Sequence, residues 1–431
     1  MEKIMELKVN DYLAIAKADI SLQGITVVSG INGCGKSTMS KLLYNIFYDA
    51  NHFDKFVIAR FFREISPYLN IIQQMVNDVS DYHEAIQYRR FFNNLPSMIS
   101  DINDTTSFMG NLRQVCSHFV EIFSTLSQLQ QERYHQILKS TLNGKEEKSV
   151  AGYISDIINR VSDRLSYCRK LSQSRDYKVL ENAISSSFEH NPSDRVSLSE
   201  YNLPVYGKGV KSVPVLHYIH KVAYIDTPMM LGIDSTTSLA LPNYWVRLND
   251  ELKKKPKRGY KLSINNLIRN RIIHGDASYN GHDLQTTFQF KPTNGDAAFD
   301  LMDCATGIKS FSIIQMLLKN QFIDKDTLLI LDEPEAHLHP QWIVEYANLI
   351  ILIHKMIGTH FFIATHSPDF VRAIHDIADK DGYMEDLNFY NAVEDPSQLG
   401  KYNFELMEQH DINPIFASFN KSYDKIEDYA S

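Results

Sequence analysis

Gly30-Ile31-Asn32-Gly33-Cys34-Gly35-Lys36-Ser37 is a stretch that can hold phosphate. It matches G-x-x-x-x-G-K-[ST] and lies between a β-branched run, residues 25–28, and a helical stretch that begins at Ser37, the context this motif needs. Glycines let the backbone wrap an anion, so that successive N–H groups and the positive end of the next helix face it. On this reading Gly30, Asn32, Gly33, Cys34, Gly35 and Thr38 form the cradle, Lys36 reaches the β- and γ-phosphates, and Ser37 ligates Mg²⁺.

A second run, Thr327-Leu328-Leu329-Ile330-Leu331-Asp332-Glu333-Pro334, is an apolar strand that ends in two carboxylates. Ligands of parallel sheets bind at the carboxyl ends of strands, which would set these carboxylates beside the phosphate loop. Asp332 would then hold the Mg²⁺ shell, and Glu333 would act as general base or orient the attacking water. The plainer alternative is an acidic pair capping the next helix. Ala364-Thr365-His366-Ser367-Pro368 ends the next apolar strand, where His366 can reach a γ-phosphate or serve only structure.

These residues need a parallel sheet to bring them together. Strand character is read at residues 4–9, 14–22, 25–28, 221–225, 284–290, 327–331 and 359–364, with an amphipathic helix over 342–355 between the last two. Between them, apolar residues recur at helical spacing, as in Ile154, Ile157, Ile158, Val161 and Leu165, and in Val115, Phe119, Ile122, Phe123 and Leu126. Turns are read at Asn143-Gly144 and Asn191-Pro192-Ser193. The expected fold class is α/β, a P-loop nucleotide-binding sheet with a helical insertion. Its parts are a first core segment 1–50, the insertion 51–204, a second core segment 205–395 and a polar tail 396–431 without assigned chemistry.

The 431 residues, 44% hydrophobic and 22% charged, exclude a disordered or fibrous chain. A net charge of −8 gives no global attraction to nucleic acid or anionic membrane, so any DNA contact must be local. Cys34, Cys116, Cys168 and Cys304 are far apart and read as reduced thiols. The start lacks the pattern of a secretory signal, and no run of about 18 apolar residues occurs. A cytoplasmic protein with no membrane partner is expected.

Residues 30–37, 328–340 and 365–368 resemble the Walker A motif, the Walker B motif with D-loop, and the H-loop of ATP-binding-cassette ATPases. The runs LKVNDYLAIAKADISLQGITVVSGINGCGKST and LLILDEPEAHLHPQW are similar to soluble RecF- and OLD-like ATPases of DNA repair and phage defence, among them the PtuA ATPase of Septu systems. The resemblance covers residues 1–48 and 215–375. It implies ATP and Mg²⁺ as ligands and a homodimer or higher homo-oligomer that sandwiches nucleotide. It also implies a role as the ATPase or sensor subunit of an antiphage system with a separate nuclease partner.

The chain departs from the family pattern in several places. In the signature loop, Cys304-Ala305-Thr306-Gly307-Ile308-Lys309-Ser310, Ala305 stands where a phosphate-contacting serine belongs, leaving Thr306, Gly307 and backbone amides as donors. A lost charge-assisted hydrogen bond costs about 1.5–3 kcal/mol, which admits an ATP-gated clamp with little turnover. His339 replaces the D-loop Asp. Tyr224-Ile225-Asp226-Thr227-Pro228 stands where a glutamine loop is expected, so Asp226, as a metal ligand, or Thr227 would take that role, unless the segment is a turn at Pro228. His337 and His339 have ligand-like spacing but no further ligands nearby. Lys253, Lys254, Lys255, Lys257, Arg258 and Lys261 form a basic run that is either a solvated loop or a phosphate-backbone contact to DNA. A transporter subunit is disfavoured by the insertion and by the missing L-S-G-G-Q.

Overall fold

The computed structural model describes residues 4–79, 82–142, 147–231, 241–259, 262–281, 287–295, 297–408 and 411–417. The chain divides into two units, one of residues 1–51, 184–210 and 214–431, the other of residues 52–183 and 211–213.

The first unit is built on a ten-stranded sheet. Strands β1 (Met5–Tyr12) and β2 (Ile15–Ser21) form a hairpin through the two residues Leu13 and Ala14, with Leu13 at φ 50°. Strand β3 (Ile25–Ser29) is buried along its whole length, and the helix α1 (Lys36–Asn51) follows the phosphate loop. The edge is extended by β4 (Val196–Glu200) and β5 (Leu203–Tyr206), and the far side by β6 (Lys221–Ile225). Helix α9 (Asn243–Leu252) packs on β6. A separate three-stranded sheet comprises β7 (Gly275–Asn280), β8 (Thr287–Pro292) and β9 (Phe299–Asp300). Then come α11 (Thr306–Lys319), β10 (Thr327–Asp332), α12 (Pro340–Ile357), β11 (His360–Thr365), α13 (Pro368–Asp381), β12 (Leu387–Glu394) and β13 (Tyr402–Leu406).

The parallel core runs β12-β3-β11-β10-β6. Both β10 and β11 are buried at all positions, as strands covered on both faces must be. Alternation sorts their side chains. Val27, Leu329, Leu331 and Ile363 join the core that holds Phe311 of α11, Ala347 of α12 and Phe370 of α13. The opposite face, with Tyr224 and Ile330, is the side of α1, which packs on β6, β10 and β11. Each fully buried aliphatic side chain here contributes about 1.5–3 kcal/mol.

The boundaries differ from those read in the sequence. Residues 196–206 group with the sheet and not with the helical insertion, because β4 pairs with β1 and buries alternate residues Val196, Leu198 and Glu200. The stretch 396–431 is not wholly a tail, since β13 lies between β2 and β12, parallel to the first and antiparallel to the second. Of the strand expected at 284–290, residues 284–286 lie outside the described residues, and β8 begins at Thr287.

The second unit is helical, with α2 (Phe53–Val79), α3 (Tyr82–Asn93), α4 (Leu95–Met98), α5 (Thr106–Phe123), α6 (Gln128–Thr141) and α7 (Val150–Ser174), while α8 (Tyr177–Ser185) runs to the unit boundary. The stripe of Ile154, Ile157, Val161 and Leu165 on α7 is buried, as are Val115 and Phe119 on α5, and α7 packs on α2 and α5. Ser149 caps α7 by accepting from Gly152 N. The Asn143-Gly144 turn lies outside the described residues.

One buried charge in the first unit sets a pH dependence. Asp49, in the last turn of α1, is buried and its Oδ1 has no hydrogen-bond partner among the described residues. Burial pushes its carboxyl up to about 7, with the Arg247 guanidinium pulling the other way. A carboxyl raised in the fold stabilises it fully below the unfolded value and loses that contribution as pH climbs from about 4 to about 7. Asp49→Asn, neutral at every pH, is therefore expected to stabilise the fold relative to the parent more at pH 8 than at pH 5, by at most about 4 kcal/mol of unfolding free energy, seen as a larger rise in melting temperature at pH 8. Equal shifts at the two pH values would show that Asp49 ionises freely.

Candidate functional site

The register of three parallel strands assembles the site. Asp332 of β10 pairs with Ala364 of β11, and Ala364 pairs with Val28 of β3. Asp332 and Glu333, Thr365 and His366, and the loop that starts at Gly30 therefore leave the sheet along one edge, at the carboxyl ends of the strands.

In the loop, Gly33 and Gly35 have φ of 84° and 106°, conformations that side chains rarely adopt, and a Cβ on Gly35 would stand 2.6 Å from Ile15 Cγ1. The loop leads straight into α1, whose first residue, Lys36, is buried and donates from Nζ to Gly30 O at 2.8 Å and Ile31 O at 2.9 Å. These carbonyls hold a cation at the loop, where the helix start adds its own positive potential. Cys34 is buried 4.0 Å from Lys36 Nζ, and burial pushes its thiol up against the pull of Lys36, so it stays protonated. Ser37 is exposed and Thr38 half-buried beside it.

Asp332 is buried, and Tyr224 Oη donates to its Oδ2 at 2.7 Å. Its Oδ1 has no hydrogen-bond partner among the described residues. Burial pushes this carboxyl up, while the hydroxyls of Tyr224 and Ser37 draw it down. Ser37 thus lies near the carboxylate without bonding in hydrogen-bond geometry. A buried, unpartnered carboxylate oxygen beside a serine hydroxyl fits a hard divalent cation such as Mg²⁺, which takes oxygen ligands. Tyr224 is itself buried, and burial with the neighbouring Asp332 raises its hydroxyl, which keeps it a donor.

Glu333 leaves β10 at φ 52° and donates its backbone N–H to Ala364 O at 2.8 Å. Its Oε1 lies 3.1 Å from His366 Nδ1, an ion-pair distance without hydrogen-bond geometry. Both side chains are about two-fifths exposed, 38% and 41%. Beside His366 stands a residue that the sequence did not single out. Glu335 is buried, accepts from Thr365 Oγ1 at 2.6 Å and from His366 N at 3.2 Å, and burial raises its carboxyl. It ties the end of β11 to the turn after β10. The available signal was a second glutamate two residues past the first, in E-P-E.

Other expected residues stand differently. Asp226 is not open to a metal, because Tyr244 Oη donates to its Oδ2 at 2.6 Å, and Trp245 Nε1 and Thr227 N donate to its Oδ1, both at 2.7 Å. It anchors α9 to the end of β6. Gly307 is demanded by packing, since a Cβ there would stand 2.3 Å from Trp342 Cε3 on α12. Ala305 is the uncapped N-cap of α11, and Thr306 Oγ1 lies 3.9 Å from Met229 Sδ. Among the described residues, no hydrogen bond joins residues 305–307 to the phosphate loop. His339 caps α12 by accepting from Gln341 N, and among the described residues no group of three or more His, Cys, Asp or Glu is placed to hold a metal. Residues 253–258 are mostly exposed, Lys254 pairs with Glu251, and Lys261 lies outside the described residues.

The Tyr224 bond predicts how a cation binds. Tyr224→Phe strands Oδ2 in the interior and removes one of the two hydroxyls that favour the carboxylate. Divalent-cation affinity, followed by calorimetry with nucleotide present, is expected to fall about tenfold. The fall should be larger at pH 6 than at pH 8, because a carboxyl raised further is protonated more at the lower pH. An unchanged affinity at both would mean that Tyr224 only packs.

Residues 306–372, from the start of α11 into α13, match the family described as AAA domain, putative AbiEii toxin, Type IV TA system. No curated protein matches the chain. Among solved structures, it is similar to the Smc head domain of Pyrococcus furiosus with an extended coiled coil, bound to the C-terminal domain of ScpA, at 9% identity and a TM-score of 0.34 over 99% of each chain. It is also similar to the SMC head domain from Thermotoga maritima, at 12% identity and a TM-score of 0.34 over 94% of this chain and 98% of that one. No described helix is long and apolar enough to cross a membrane. Asp332, Glu333, Glu335 and His366 thus lie in a segment with the sequence pattern of an AAA-type ATPase domain, on an α/β sheet that carries a P-loop.

Proposed function

We propose that the chain binds ATP with Mg²⁺ on residues 30–38 and hydrolyses it, two subunits closing on the nucleotide. The observation that carries this reading is the shared register of β3, β11 and β10, which sets Lys36, Asp332, Glu333 and His366 along one edge. Lys36 and the loop amides hold the phosphates. Glu333, one residue past Asp332 and partly exposed, takes the proton of the attacking water or orients that water, and His366, 3.1 Å from its carboxylate, reaches the γ-phosphate. Asp332 and Ser37 would hold Mg²⁺, which would supply neutralisation of phosphate charge. The uncapped start of α11 at Ala305, free of bonds to its own phosphate loop among the described residues, is offered to a second copy's nucleotide. The similarity of both motif runs to RecF- and OLD-like ATPases supports a role as the ATPase or sensor subunit of an antiphage system with a separate nuclease, the exposed lysines of residues 253–258 being its candidate DNA contact. A nuclease encoded beside this chain should then co-purify with it.

A second reading, an ATP-gated clamp with little turnover, is favoured by Ala305, which brings no hydroxyl to the phosphate. Glu333→Gln separates the two. In the hydrolytic reading the variant keeps ATP binding, accumulates paired subunits in size-exclusion chromatography, and loses about 10²- to 10⁴-fold in phosphate release. In the clamp reading the parent already resembles the variant. Brisk turnover by the parent that persists in the folded variant would remove Glu333 from the chemistry.

A further inference from the structure

The first unit contains a cavity of about 580 Å³ that begins at Ser37 and Thr38 and whose remaining lining takes no part in the phosphate-loop chemistry. Its volume lies within the range of about 300–1,000 Å³ that small-molecule sites occupy. One wall is the segment 186–190, Ser-Ser-Phe-Glu-His, which follows α8 and precedes β4. We propose that this segment is a strap that holds the base and ribose of the nucleoside triphosphate, the cavity being its nucleoside subsite. The inference rests on the reading of residues 30–38 as the phosphate site.

Three observations support it. The cavity begins at Ser37 and Thr38, so a triphosphate seated on the loop has its nucleoside end to place in the space that adjoins it. The strap is pinned at both ends. Ser185 Oγ donates to Asn191 Oδ1 at 2.9 Å and closes the five residues into a loop, while Tyr12 Oη, from the end of β1, donates to His190 O at 2.9 Å. A preorganised loop loses little entropy when it binds. Finally, the cavity gathers apolar side chains that the core does not take up. Phe188 is only half-buried amid four polar neighbours, and Leu13 at the hairpin tip is 46% exposed at φ 50°. An aromatic ring and an aliphatic side chain that line one cavity suit a base, which stacks on aromatic rings.

The phosphate loop reads phosphate and the strap reads nucleoside, so two ligands separate them. Calorimetry would compare Mg²⁺-ATP with Mg²⁺-tripolyphosphate on the parent, on Phe188→Ala, and on Tyr12→Phe, which frees the strap end while keeping the ring. The parent should bind ATP more tightly than tripolyphosphate. Phe188→Ala should lose about tenfold or more of its ATP affinity and none of its tripolyphosphate affinity, with Tyr12→Phe in the same direction by less. A parent that binds both ligands alike, or a Phe188→Ala variant with parental ATP affinity or with equal losses for both ligands, would overturn the strap. Failure of the parent to bind either ligand would instead bring down the phosphate-loop reading and the strap with it.

Discussion

The site depends on the alignment of three buried parallel strands. Because β10, β11 and β3 are covered on both faces and filled with Leu, Ile, Val and Phe, a slip of one residue would turn each apolar set away from its helices. Burial thus locks the register, and the register brings the ends of the strands level. Asp332, His366 and the phosphate loop are neighbours because hydrophobic packing below them permits no other alignment.

The polar groups above that edge carry the energetic cost. Glu333 sits in a left-handed conformation that costs about 1–3 kcal/mol for a residue with a side chain. Asp332 and Glu335 are buried carboxylates, each with one oxygen lacking a partner among the described residues. Hydroxyls offset part of this, Tyr224 on Asp332 and Thr365 on Glu335, and both come from adjoining strands. Tyr224 also packs at a tilt against Tyr244, with ring centroids 4.6 Å apart, and Tyr244 bonds Asp226. The carboxylate of Asp332 is thereby joined through aromatic and polar contacts to α9.

What was legible in the sequence was local. The loop of residues 30–37, the strand into Asp332 and Glu333, and the strand into His366 each announce themselves within ten residues by apolar runs and by glycine or proline. What escaped depends on partners far away in the chain. The short strand β13 alternates weakly, and its pairing with β2 joins residues almost four hundred apart. Asp226 looked free because its three donors include Tyr244 and Trp245, which no spacing rule links to it. The packing constraint on Gly307, where the ring of Trp342 excludes any Cβ, was likewise not legible. Glu335 went unassigned because a buried acid in a polar turn resembles a solvated one until its burial is known.

As proposed, the carboxyl edge of β3, β11 and β10 is an Mg²⁺-dependent ATP site completed by a second copy of the chain. Steady-state phosphate release by the unaltered protein, measured across Mg²⁺ and protein concentration, tests it most directly. Release is expected to require Mg²⁺, with a rate per subunit that rises with protein concentration as subunits pair. Absence of Mg²⁺-dependent release at every protein concentration would contradict it.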